Sequence, residues 1–167
     1  VQFTATSFPF ADQAFLDPVT QIAEGALDNP RSRANQPHIF YTNSSVEYWG
    51  GGRVAALVHT TPDGAEDIIL PNNVRFYLLS GTQHGTGEFP PQPPSTGQQM
   101  GNPTDYWLNM RALLAAMEEW VVDNVEPPPS AHPSFEDATL VMPREVAFPT
   151  LQGVQSPIGL TTGTRAA

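Results

Sequence analysis

A chain of 167 residues with 40% hydrophobic and 10% aromatic side chains can build one globular domain with a sizeable core, which excludes a disordered tail. Its formal net charge of -10 arises with no lysine, the seven basic residues being arginines without a basic cluster, so a nucleic-acid backbone is excluded as a partner. Cysteine is absent, which rules out disulfides, thiolate metal sites and a cysteine nucleophile and leaves the compartment, cytoplasmic or exported, open.

Charged residues make up only 14% of the chain and prolines number 18, so long irregular loops are expected. The opening Val1-Gln2-Phe3-Thr4-Ala5-Thr6 has no basic region followed by an apolar run and does not read as a signal peptide. No stretch approaches the ~20 apolar residues of a membrane span, and a soluble protein is expected. The start lacks a methionine and falls in mid-pattern, which reads as a fragment of a longer protein.

Residues 1–36 read as an irregular segment lying over a surface supplied by something else; Val19, Ile22, Ala23 and Ala26 suffice for two helical turns at best. Pro37 to Thr42 is apolar and β-favouring and predicts a short buried strand that stops at Asn43-Ser44-Ser45. Arg53 to Thr60 and Ala65 to Leu70 flank the turn signal Pro62-Asp63-Gly64 and predict a hairpin or strand-like excursion. Val74 to Leu79, apolar apart from Arg75, has the composition of an interior strand in a parallel sheet covered on both faces. It runs into Ser80-Gly81-Thr82-Gln83-His84-Gly85.

Glu88 to Gly101 reads as an extended loop, after which Asn102 is placed to cap a helix beginning at Pro103 with Asp105 in its first turn. Trp107, Met110, Leu113, Leu114, Met117, Trp120 and Val121 recur at helical spacing, predicting a helix of about five turns packed on a sheet with both tryptophans in the core. Glu126-Pro127-Pro128-Pro129 ends it. Residues 126–167 form a proline-rich tail with one strand-like run, Ala138 to Met142.

A strand ending in a small-residue loop with one histidine suits a catalytic imidazole, because the strand fixes the base of a loop that carries the ring past the sheet edge. His84, between Gly81 and Gly85, fits; on such a loop an exposed turn histidine is the commoner alternative. Glu47, just past the preceding strand and beside Tyr48-Trp49, is the candidate acid that would hold the imidazole tautomer, or else a first-turn glutamate of a helix capped by Ser44 or Ser45.

The runs Pro37 to Trp49, His59-Thr60-Thr61-Pro62-Asp63-Gly64, Pro71 to Tyr77, Ser80 to Gly85, Arg111-Ala112-Leu113-Leu114 and Val125 to Ser130 together resemble the C-terminal half of a group of bacterial α/β-hydrolase-domain proteins. The resemblance implies an α/β fold: 1–167 as the C-terminal part of a single α/β-hydrolase domain, with its last parallel strands, a hairpin-like insertion and the final long helix. Residues 37–125 would form its strand, acid-loop, strand, histidine-loop and helix core. It implies Ile39 to Thr42 as the seventh strand, Glu47 as the acid, Val74 to Leu79 as the eighth strand, His84 as the base and Thr104 to Val122 as the last helix. It also implies serine-type hydrolysis of a small-molecule carboxylic ester without a cofactor. The order acid then histidine is that of this fold.

Two departures stand out: the chain has no Gly-x-Ser-x-Gly and no Gly-rich oxyanion loop, so the nucleophile would lie upstream and the chain alone is expected to be inactive. Ser44, Ser45 and Ser80 are poor substitutes because none sits on a strand-to-helix elbow. Asp67 is held in reserve as the acid, and Asp63 has a turn to make. A metal site built from His38, His59, His84, Glu47 and Asp67 lacks helical ligand spacing, and no metal is expected. The expected partner is the missing N-terminal half or a second copy. The competing reading is a non-catalytic binding or interaction module.

Overall fold

The computed structural model describes residues 8–17, 19–28, 34–49, 54–93 and 100–153. Phe15–Leu16 (β1) and Ala23–Glu24 (β2) pair antiparallel as a two-residue ribbon, so the weak periodicity after Val19 does not give helical turns. The reason is local: Gln21 takes a φ of 59°, outside right-handed helix, and Asp17 Oδ1 accepts the Val19 N–H, reversing the chain as a turn. Tyr41 Oη donates to Asp12 Oδ1 at 2.7 Å, linking this segment to the main sheet.

Ile39–Ser44 (β3) and Val74–Leu79 (β4) pair in parallel, from Ile39 beside Val74 to Ser44 beside Leu79. With this antiparallel ribbon, this parallel pair and the two helices Ser45–Trp49 (α1) and Trp107–Asp123 (α2), the described chain is a small α/β protein. Side chains alternate across β3 and β4, so one face carries Tyr41, Phe76 and Leu78 and the other Phe40, Arg75 and Tyr77. The first face packs on Tyr48 of α1 and on Ala56, forming the buried core. The second takes Trp120 of α2, whose ring stacks on Phe40 at 5.6 Å and on His38 at 3.9 Å with the Arg75 guanidinium 4.9 Å over it. Burial on both faces explains why β4 reads as a nearly continuous apolar run.

The far edge of β4 is covered by the segment that returns from α2. Ala131 N–H donates to Phe76 O and Leu78 N–H to Ala131 O, each at 2.9 Å, while Ser130 Oγ accepts from Phe76 N–H and Tyr77 Oη donates to Pro128 O. Arg75 and Glu126 form an ion pair at the start of this return. Prolines 127–129 suit the position because they donate nothing at a sheet margin.

Four further expectations are corrected. The described part of the expected first hairpin arm, whose Arg53 lies outside the described residues, is a 3-10 helix over Ala55–Val58. Two alanines let that turn press against Phe76 and Tyr48, and the hairpin shrinks to the bridge between Thr60 and Asp67 around Gly64 at φ 66°. The run Ala138 to Met142 is not a strand: Ser134 O accepts from both Thr139 and Leu140 N–H, and Ala138 has a φ of 54°. Helix α2 begins at Trp107 rather than 104, with Asp105 Oδ1 accepting the Trp107 N–H, and ends at Asn124 in the left-handed region. Trp120 is 2% exposed but Trp107 is 52% exposed, so only one tryptophan of the helix is core.

Candidate active site

β3 and β4 deliver their carboxyl ends side by side, and the residues just beyond each end meet. Beyond β3 the chain turns into α1, whose first turn holds Glu47; beyond β4 it enters the loop of His84. Glu47 Oε1 accepts a hydrogen bond from His84 Nδ1. Both sequence-predicted residues are therefore brought together, although they lie 37 positions apart. In open α/β sheets ligands bind at the carboxyl ends of the strands, where this pair sits.

The carboxylate is held by more than the histidine. Glu47 Oε2 accepts from the Ser44 N–H at 3.0 Å and from the Ser44 hydroxyl, so both oxygens have fixed partners. Burial would raise its pKa, but the hydrogen bonds from Ser44 and His84 outweigh that and hold the carboxyl at about 2. Ionised near neutrality, Glu47 can only accept, so Nδ1 carries a proton, and in the neutral ring the lone pair falls on Nε2. The His84 side chain is 86% exposed and that of Glu47 23%, so the acid is sheltered and the base faces outward.

The His84 loop is tied at several points. Gly81 takes a φ of 73°, a left-handed turn that glycine adopts without strain, and its N–H donates to Ser45 Oγ at 2.9 Å. Ser45 N–H donates to Thr82 O, and Asn102 Nδ2 donates to Gly81 O at 2.6 Å. Tyr106 Oη donates to the carbonyl of His84 itself at 2.7 Å. A Cβ at Gly87 would lie 2.4 Å from Asn102 O, so the loop passes where only glycine fits. Asn102 thus serves the loop rather than a helix start. Tyr106 is marked by no motif in the sequence, whereas Ser44, a candidate cap for the helix of Glu47, takes that place, its hydroxyl accepting the Val46 N–H and its own N–H reaching Glu47 Oε2.

The other candidates fall elsewhere. Ser44 and Ser45 direct their hydroxyls to Glu47 and to Gly81, and no described serine hydroxyl bonds His84. Asp67 Oδ2 accepts from Phe135 and Glu136 N–H, and Asp63 Oδ1 accepts from the Thr61 hydroxyl and Ala65 N–H, so both aspartates serve turns. His38 lies against Trp120, and His59 is buried with Tyr48. Among the described residues, no three His, Asp or Glu side chains converge as a metal site. A cleft of about 340 Å³ lined by Leu70, Asn72, Arg75 and Pro127 opens near the start of β4, away from the Glu47–His84 pair. Among the described residues no helix is long and apolar enough to cross a membrane.

Comparison of the chain with protein-family models, with curated proteins and with solved structures finds no match.

Proposed function

We propose that this chain carries the acid and the base of a serine-type hydrolase of small carboxylic esters, as the C-terminal portion of an α/β-hydrolase fold whose nucleophilic serine lies outside this sequence. One observation carries the reading: a carboxylate fixed by Ser44 grips Nδ1 of an imidazole at the carboxyl ends of two adjacent parallel strands, with the ring's other edge turned outward.

In this reaction His84 Nε2 takes the proton of the serine hydroxyl as its oxygen attacks the ester carbonyl carbon. The imidazolium then protonates the departing alkoxide, leaving an acyl-enzyme. Water, deprotonated by the same nitrogen, attacks the acyl carbon, and the proton returns to serine as the carboxylic acid leaves. Glu47 stabilises the imidazolium and keeps the ring turned so that Nε2 points away from the sheet. No cofactor enters these steps.

The test is hydrolysis of a short-chain p-nitrophenyl ester, with labelling by a fluorophosphonate, for this chain alone and for the chain joined to the serine-bearing sequence upstream of it. Activity and labelling confined to the joined protein, with activity lost in His84→Ala, are expected. Their absence from both proteins favours the non-catalytic binding module, a reading that the absence of a serine hydroxyl against His84 in the described residues also fits.

A further inference from the structure

Besides the exposed Leu108 and Val122, the fold leaves a regularly spaced apolar stripe of α2 uncovered. Trp107, Leu114 and Val121 stand at seven-residue spacing and are 52%, 71% and 60% exposed, and the half-buried Met110 and Met117 fall between them. Alternating steps of three and four residues are the pattern of a helix that packs lengthwise on another helix. The stripe is distinct from the sheet-facing side, which is anchored by Trp120. Along its other flank run Arg111 and Glu118, both exposed and neither ion-paired within the described residues.

We propose that this stripe is an interface between two copies of the chain, α2 lying antiparallel on α2. The charges select both the partner and the direction. In an antiparallel pair, Leu114 meets the partner's Met117 and Met110 meets the partner's Val121. Arg111 then lies beside the partner's Glu118, and the two-fold axis repeats the contact. A parallel pair would set Arg111 beside the partner's Tyr106 and Glu118 beside the partner's Leu113, leaving both charges unmatched. A second copy already carries the complement of each charge at the required step. Exposed ion pairs add little affinity, so the apolar stripe holds the dimer and the charges fix its orientation. The inference does not depend on the esterase reading.

Sedimentation velocity on the chain through the micromolar range tests it. A concentration-dependent dimer is expected, abolished in Leu114→Asp with unchanged far-ultraviolet circular dichroism. Arg111→Glu and Glu118→Arg should each weaken self-association about tenfold by setting like charges together. An equimolar mixture of these two variants should restore the dimer, since each meets opposite charge at both positions; these sites are exposed and their replacement leaves the core intact. A wild-type chain that stays monomeric, as it would if another polypeptide covers α2, overturns the proposal. So does a dimer indifferent to Leu114→Asp, or a mixture that fails to re-associate.

Discussion

Tyr48 Oη and His59 Nε2 lie 2.9 Å apart, both side chains 0% exposed, against Phe76 of β4. Burial, reinforced by the neighbouring His132 and only partly opposed by Asp67, pushes the His59 imidazole down to about 4 from an ordinary 6.5. Its Nδ1 has no hydrogen-bond partner among the described residues, so a protonated ring there would carry an unmatched donor. In the unfolded chain the ring binds a proton near pH 6.5, while the folded chain resists until about 4. Stability is therefore full above about 6.5 and declines as pH falls through that window, by about 3 kcal/mol. Urea unfolding at a series of pH values measures this. The slope between pH 6.5 and 4 should flatten in His59→Gln; an unchanged slope would assign it to another group.

Ser44 sets the state of Glu47. Its hydroxyl and N–H both reach Oε2, and Ser44→Ala removes the first while leaving the second and the His84 bond. The Glu47 carboxyl, held at about 2, should then climb toward the ordinary 4.5. With a depressed pKa, Glu47 supports the fold above about 4.5 and loses that contribution as pH falls to about 2, so the variant, whose carboxyl titrates nearer its unfolded value, should be less stable near neutrality and lose less stability between those limits. Carbon-detected NMR titration of Glu47 decides the matter, and identical titration in both proteins would remove Ser44 from this role.

β3, β4 and the pair beyond them are legible in the sequence because both strands are short apolar runs ending in small polar residues, and each is followed by one residue with the needed chemistry. What escapes the sequence has no period to betray it. The strip from Pro128 to Ala131 covers an edge of β4 through isolated backbone contacts. His59 sits in a run whose apolar residues read as a strand, yet Ala55–Val58 coils tightly enough to bring that ring beneath α1. Asn102 and Asp105 both carry capping chemistry, and the sequence alone does not say that Asn102 turns to Gly81 while Asp105 meets the first N–H of α2.

If the Glu47–His84 pair is the working half of an ester hydrolase, its members should fail unequally. Without His84 no group takes the serine proton, and His84→Ala in the joined protein should lower kcat/KM by about 10²–10⁴-fold. Glu47→Gln keeps a polar group of the same shape near Nδ1 while losing the negative charge that stabilises the imidazolium, so a smaller loss is expected. Steady-state hydrolysis by both variants measures the difference. Wild-type turnover in Glu47→Gln would move the acid role away from Glu47, and wild-type turnover in His84→Ala would end the esterase reading.

Trp120 is the point at which α2 is fastened to the sheet. Its ring, 2% exposed, lies on Phe40, His38 and the Arg75 guanidinium, so one side chain touches β3, the residue before it and β4 together. Trp120→Ala opens a cavity at this junction and forfeits the stacking, which places the expected cost at about 3–5 kcal/mol. Trp107, half exposed, has its indole N–H on Thr86 Oγ1 at 3.3 Å and lies over no strand; Trp107→Ala should cost about 1 kcal/mol or less. Urea midpoints of the two variants at low protein concentration, where self-association does not contribute, give the comparison. Equal losses would mean that the start of α2 is fastened as firmly as its end, against the geometry of its rings.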